Sequence, residues 1–146
     1  MTTSDALPDE LLRTSARLSR WATRAADLGM PSAQARVLVL VDEIGPARVT
    51  ALADADESSQ PSMTTAVQRL EGLGLVTRTP DPADARATLV TLTAAGAERI
   101  AGIRRSRGAA LAPVVERAAV DETRLRDAVA VLGELLEATR PASDPS

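Results

Sequence analysis

The apolar positions of the chain recur at helical spacing along most of its length, and the recurrence predicts six helices interrupted once by an extended segment. Along the first helix, arginines occupy the side opposite the apolar stripe. Caps, glycines and prolines mark where the first three helices begin and end. The first helix is predicted over residues 8–28, and Gly29 ends it as a C-terminal cap. The second helix follows Pro31–Ser32 and stops at Gly45–Pro46. The third is short and runs from Thr50, its N-cap, to about Asp56.

The fourth helix separates an apolar face from a polar one. It follows a turn at Glu57–Ser59 and opens with Gln60 and Pro61 in its first turn. At about 100° per residue, one face carries Met63, Ala66, Val67, Leu70 and Leu73. The opposite face carries Thr64, Thr65, Gln68 and Gly72, with Ser62 and Arg69 at its edges. Gly74 is expected to stop this helix in a left-handed conformation.

The spacing of apolar residues then changes from helical to extended. Residues 75–79 and 88–93 read as two short strands. The intervening loop, residues 80–87, is longer than the two to five residues usual in a hairpin, so we expect it to project for a functional reason. Helical spacing resumes after Thr93, with Pro113 kinking or interrupting the helix, and Asp121 caps a last helix. The tail, residues 141–146, is expected to be disordered.

Composition strengthens the helical interpretation and removes several kinds of chemistry. Apolar residues make up 45% of the 146 residues, but they are mostly Ala, Leu and Val, and Trp21 is the only aromatic residue. Such a core packs most naturally as helix on helix. The absence of Cys and His excludes disulfides, thiolate nucleophiles, Ser-His-Asp catalysis and His- or Cys-ligated metals. No apolar run is long enough to span a membrane and the N-terminus is not signal-like, so we expect a cytoplasmic protein that is not an enzyme and has no cofactor.

Charge is distributed unevenly along the chain. The formal net charge is −3, which argues weakly against a nucleic-acid partner. Residues 58–107, however, carry seven Arg and four acidic residues, a net charge of +3, whereas residues 36–57 and 108–146 each have a net charge of −3. Because a polyanion responds to the local field, the 50-residue basic stretch is more informative than the total.

The order of helix, short helix, turn, amphipathic helix and strand pair predicts a helix-turn-helix followed by a β-hairpin wing. Small hydroxyls and an amide on an exposed helix face can hydrogen-bond base edges in a DNA major groove. The positive end of the helix near Ser59, Gln60 and Ser62 favours phosphate. Arg86, in the long loop, can reach the minor groove or phosphate. Each feature also has a simpler interpretation, because the polar helix face can be plain solvated surface and Asp84–Arg86 a weak surface ion pair.

Within this region the stretch SMTTAVQRLEGLGLVTRTPDPADARATLVTLTAAG resembles the MarR (multiple antibiotic resistance regulator) family of winged helix-turn-helix transcription factors. The upstream segment MPSAQARVLVLV resembles that family's second helix, and the resemblance extends over about residues 8–138. The residues that carry it are Ser62, Thr64, Val67, Arg69, Leu70, Glu71, Gly74, Leu75, Val76, Arg78, Asp81, Asp84, Arg86, Val90, Leu92, Thr93 and Gly96.

The resemblance implies a ligand-responsive repressor that binds a near-palindromic DNA operator as a homodimer. It implies an N-terminal dimerisation helix in residues 1–30, a winged helix-turn-helix in residues 31–92, and C-terminal dimerisation helices with the tail in residues 93–146. By matching positions, it implies recognition-helix contacts at Ser62, Thr64, Thr65, Gln68 and Arg69, and wing contacts at Arg78 and Arg86, with Asp84 orienting Arg86.

Two departures from the family pattern bear on this interpretation. Ala85 stands where many members carry a second basic residue or Gly, so the wing is expected to bind less strongly. The family's thiol-sensing mechanism needs Cys, and its zinc-responsive mechanism typically uses His. Because the chain has neither residue, the effector is expected to be a small organic ligand or a partner protein, or there is no effector. The alternative function is a winged-helix module for protein–protein interaction that has lost DNA binding.

Overall fold

The computed structural model of the protein describes residues 3–140, with side chains from residue 6 onward. The predicted disordered tail, residues 141–146, lies outside the described residues. Eight elements follow one another, and their bounds are α1 Thr3–Ala25, α2 Ser32–Ile44, α3 Val49–Asp56, α4 Gln60–Gly72, β1 Val76–Asp81, β2 Asp84–Leu92, α5 Ala94–Arg117 and α6 Glu122–Ala138.

The predicted fold class is confirmed, because the described residues form helices and one antiparallel two-stranded hairpin in the winged-helix order. The buried core lies among α2, α3, α4, the base of the hairpin and the first half of α5. The predicted apolar face of α4 contributes Met63, Val67 and Leu70 to this core. Leu73 does not, since it lies past the end of α4 and is 57% exposed. Burial of one face of α4 leaves its opposite face free for contacts.

Three predicted helix boundaries are wrong. The first helix begins at Thr3 and contains Pro8, whereas the sequence pattern predicts its start at residue 8. Gly29 does not cap α1, because the helix ends at Ala25 and the Asp27 side chain forms a separate turn by accepting a hydrogen bond from the Gly29 N–H at 3.0 Å. Thr50 is not the N-cap of α3, which begins one residue earlier at Val49. The chain arrives at α3 in an extended conformation because Ala47 pairs with Val90 of β2, and the helix begins after Arg48 without a side-chain cap.

The predicted eight-residue wing loop is also wrong. The strands extend into it, so that only Pro82 and Ala83 separate β1 from β2. The two strands pair regularly from Val76 with Leu92 to Pro80 with Thr88, and the register then shifts so that Asp81 pairs with Asp84. Residues 85–87 therefore have no partner in β1 and bulge from the hairpin.

Residues 111–140 belong to a second compact unit, which begins after Ala110 within α5. The helix α5 continues through Pro113, so of the two predicted effects of this proline, a kink or an interruption, the interruption is wrong. Asp121 is the N-cap of α6, as predicted, and its carboxylate accepts a hydrogen bond from the Arg124 N–H at 2.8 Å. The structure describes every residue of α6, and none is buried. Its exposed large apolar side chains are Leu125, Val129, Val131, Leu132, Leu135 and Leu136.

Candidate nucleic-acid interface

The N-terminus of α4 is capped by a pair of serines. Ser59 is the N-cap, and its Oγ accepts a hydrogen bond from the Ser62 N–H at 3.3 Å while donating to Ser62 Oγ at 2.9 Å. Pro61 occupies the first turn, as predicted. Ser59, Gln60 and Ser62 are all exposed at this end of the helix, which carries the positive end of the helix dipole. The arrangement suits an incoming phosphate group.

The outer face of α4 presents the side chains expected to meet base edges. Thr65, Gln68 and Arg69 are exposed, and Thr64 is half-buried. Both threonine hydroxyls donate to backbone carbonyls one turn earlier, Thr64 to Gln60 at 2.9 Å and Thr65 to Pro61 at 3.1 Å. These hydroxyls therefore offer acceptor lone pairs, whereas the Gln68 amide, which no described residue holds by a hydrogen bond, offers both donors and an acceptor.

The tip of the wing is held by two aspartates that each accept a backbone N–H. Asp81 Oδ1 accepts from Ala83 at 2.9 Å, and Asp84 Oδ1 accepts from Arg86 at 3.0 Å. Asp84 thus contacts Arg86 through the main chain, and among the ion pairs of the described residues none includes the Arg86 guanidinium. The exposed Arg86 side chain is available to an external anion.

Arg78 differs from Arg86 in its surroundings. It lies on β1 near the base of the hairpin, and its Nε is 3.4 Å from Oε1 of Glu71 near the end of α4. Its side chain is 29% exposed. A contact between Arg78 and DNA would compete with Glu71, so the predicted role of Arg78 as a wing contact stays a prediction.

Arg48 belongs to this surface and escaped the sequence analysis. It immediately precedes α3, and both its Nε and its Nη2 donate to Asp81 Oδ2, at 2.9 and 2.7 Å. The backbone hydrogen bond from Ala83 and the bonds from Arg48 hold the pKa of Asp81 below its ordinary value, against a smaller opposing effect of burial. The 33 residues between Arg48 and Asp81 explain why no local pattern in the sequence reveals the pair.

The ten predicted site residues all lie in the first compact unit, on the turn before α4, on α4 itself and on the hairpin. Seven of them are exposed, and Thr64, Arg78 and Asp84 are half-buried. Within residues 3–140 no group of three or more acidic side chains is placed to hold a metal ion. Over the same span no helix is long and apolar enough to cross a membrane.

A cavity of about 540 Å³ lies among α1, α2 and α5 in the first unit. Arg107 of α5 lines it and donates to Ser19 of α1, at 2.6 Å to Oγ and 3.3 Å to the carbonyl oxygen. The buried Nε of Arg107 has no hydrogen-bond partner among the described residues. Trp21, the only aromatic residue of the chain, is not in this lining and borders a separate depression along α1.

Comparisons with known proteins agree with this architecture. The family model described as "MarR family" matches residues 30–88. Over 57 residues the chain is 40% identical to an uncharacterized HTH-type transcriptional regulator, ML2140, of Mycobacterium leprae and to an HTH-type transcriptional regulator, MT0903.1, of Mycobacterium tuberculosis. Each match covers 39% of this chain and 40% of the relative, so the matched segment is less than half the length of these curated relatives.

Solved structures are similar over nearly the whole chain. The crystal structure of RV1404 from Mycobacterium tuberculosis has a TM-score of 0.68 at 25% identity, covering 98% of this chain and 99% of that one. The transcriptional regulator Tm0710 from Thermotoga maritima has a TM-score of 0.66 at 25% identity, covering 89% and 94%. Apo MarR from E. coli shares the fold, with a TM-score of 0.60 at 23% identity, covering 97% and 99%.

Proposed function

Residues 30–88 match the MarR family, and on that premise we propose that the chain is a sequence-specific regulator of transcription that binds double-stranded DNA. Members of this family are DNA-binding regulators rather than enzymes. In this proposal the protein represses transcription from a near-palindromic operator, acts as a homodimer and responds to a small organic ligand.

The outer face of α4 is the observation that carries the proposal. Met63, Val67 and Leu70 are buried, so the helix is fixed on the domain while Gln68 and Arg69 extend from its other side. A helix fixed in this way can enter a major groove without rearrangement, and its polar side chains can then read base edges. The exposed Arg86 on the wing adds a contact that depends on charge and groove shape.

A homodimer is the assembly that this interface requires, because one α4 can read only one half-site. Two copies of α4 would lie in successive major grooves about 34–36 Å apart, one turn of the duplex. The apolar side chains of α6, none of them buried within the protomer, supply a surface of the kind that obligate dimers bury. The exposed Leu11 and Leu18 of α1 are a second such set.

Ligand response is assigned to the cavity among α1, α2 and α5. Its volume of about 540 Å³ is in the range of small-molecule sites, and half-buried Leu40 and the Arg107 guanidinium give it apolar and polar lining. A ligand bound there would act by favouring a spacing of the two α4 helices that no longer matches DNA.

Selection of bound fragments from the host genome, followed by binding to the selected duplex and to a scrambled one over a salt series, tests this function. We expect tight binding to the selected duplex, weaker binding to the scrambled one, and affinity for both that falls steeply as salt rises. A protein that is retained on neither duplex at low salt would instead support the alternative, a winged-helix module for protein–protein interaction.

A further inference from the structure

The guanidinium of Arg48 connects the start of α3 to the tip of the wing. Nε and Nη2 donate to the same carboxylate oxygen, Asp81 Oδ2, at 2.9 and 2.7 Å. The Asp81 side chain is 10% exposed and that of Arg48 is 44% exposed. Since the carboxylate is nearly buried and receives two short charge-assisted bonds, this pair is more restrained than an ordinary surface ion pair.

Main-chain pairing next to Arg48 fixes the wing at a second point. Ala47 donates to the Val90 carbonyl at 3.2 Å, and Val90 donates to the Ala47 carbonyl at 2.8 Å. Val90 is fully buried near the base of the hairpin, whereas Asp81 is at its tip. Two consecutive residues, Ala47 and Arg48, therefore attach the base and the tip of the wing to the helix-turn-helix.

The same guanidinium lies close to both aspartates that shape the tip. Its Nη2 is 3.9 Å from Asp84 Oδ2 and 2.7 Å from Asp81 Oδ2. Asp81 Oδ1 closes the turn on Ala83, and Asp84 Oδ1 holds the backbone N–H of Arg86. Arg48 thus supports the two carboxylates that set the main-chain position of Arg86, and its positive charge partly offsets theirs.

We propose that Arg48 is a positioning residue for DNA binding, which holds the tip of the wing in place so that Arg86 can reach the duplex. Arg48 itself needs no contact with DNA for this role. Its second effect is electrostatic, because loss of Arg48 leaves two uncompensated carboxylates beside Arg86, and these repel phosphates. The proposal rests on the proposed function, since it concerns the Arg86 contact with DNA.

A double-mutant cycle tests the dependence of Arg86 on Arg48. We expect R48Q to weaken binding to the selected duplex by about tenfold, the size of effect typical of the removal of a charge-assisted pair. R86A should weaken binding in the wild-type background, but it should add much less to R48Q, because the two residues act on one contact. R48K, which keeps the charge but loses the two-nitrogen geometry, should restore affinity only in part.

Hydrogen exchange in the free protein separates positioning from a general loss of stability. The Ala83 and Arg86 amides, held by Asp81 and Asp84, should exchange faster in R48Q and less so in R48K. The control R104Q removes another 2.7 Å ion pair, from Arg104 to Asp42 between α5 and α2, and should leave both amides and DNA affinity unchanged.

Additive effects of R48Q and R86A on affinity, together with unchanged exchange at Ala83 and Arg86, would overturn the proposal. If the wild-type protein bound no duplex DNA, the proposed function would fail, and with it the role of Arg48 in DNA binding. The exchange rates would still report in that case whether Arg48 orders the wing.

Discussion

Gly96 in the first turn of α5 packs so closely on Leu75 that a Cβ at position 96 would overlap the Leu75 carbonyl oxygen. Thr93 reinforces this contact, because its Oγ1 donates to the Gly74 carbonyl at 2.7 Å and accepts from the Gly96 N–H at 3.0 Å. The Thr93 N–H also donates to the Leu75 carbonyl at 3.1 Å. The segment that follows α4 is therefore attached to the start of α5, directly after the end of β2.

Replacing Gly96 by Ala should destabilise the protein by about 1–3 kcal/mol or more, because the added methyl group can be accommodated only by moving the Leu75 backbone. Denaturant unfolding would measure the change. Gly108 in the same helix is the matched control, since a Cβ there meets nothing within 4 Å. G108A should stabilise by about 0.5–1 kcal/mol, and a similar stabilisation by G96A would show that the contact with Leu75 is unimportant.

Gln68 and Arg86 should differ in what their removal does to DNA binding. Q68A should relax base preference at one position in each half-site, by about 1–3 kcal/mol of discrimination, with little change in the salt dependence. R86A should weaken binding to most sequences and reduce the salt slope by about 1 for each phosphate that the protein no longer neutralises. Binding of both variants to selected and scrambled duplexes across a salt series would measure these effects.

The control for both variants is R104Q, since Arg104 lies on α5, outside α4 and the hairpin, and pairs with Asp42 of α2. It should leave base preference and the salt slope unchanged. If R86A bound both duplexes as tightly as wild type with the same slope, the assignment of the wing would be wrong.

The apolar side chains of α6 should be needed for dimerisation. V129D and L136D place a charge on side chains that are 66% and 68% exposed in the protomer, so they should leave its folding intact and separate the subunits. Sedimentation at micromolar concentration would show the loss of dimer. E134A alters the opposite side of the same helix and serves as the control. A stable wild-type monomer under these conditions would refute the dimer.

Effector response should be independent of thiols and zinc. With no Cys or His in the chain, mild peroxide should not switch off DNA binding through a disulfide, and a chelator should leave binding unchanged. Retention on the selected duplex, measured before and after each treatment, tests this. Loss of binding on chelation that added zinc restores would contradict it.

Acid should loosen the tip of the wing through Asp81. The Ala83 N–H and Arg48 lower the pKa of Asp81 in the folded protein, so the ionised carboxylate contributes stability above the unfolded value of about 3.9. That contribution is lost as pH falls through the lower folded pKa. Protection of the Ala83 amide, followed by NMR, should therefore persist at neutral pH and fall only in strong acid. D81N should lack this acid step; if the step remained, another group would be its cause.

Patterns local in the sequence were sufficient to predict the two faces of α4, the start of α4 at Gln60 and the N-cap of α6 at Asp121. Each of these depends on residues within a few positions of one another. The attachment of Arg48 to Asp81 crosses 33 residues and depends on the packing of the hairpin beside α3, which no periodicity records. The loop prediction failed for a related reason, because Pro80 and Asp81 read as loop residues until the facing strand and the aspartate-capped turn are present.

Because residues 85–87 bulge from the hairpin, the length of the wing can change independently of how the wing is attached to the domain. Pairing from Val76–Leu92 to Pro80–Thr88 fixes the stem, while the Asp81–Asp84 pair closes the tip, and the three residues between them on β2 belong to neither. Chain can therefore be added to or removed from this segment without a change in the register that packs Val76 and Val90 in the core. Small insertions or deletions in residues 85–87 should therefore change how far the wing projects, while the domain beneath it stays the same.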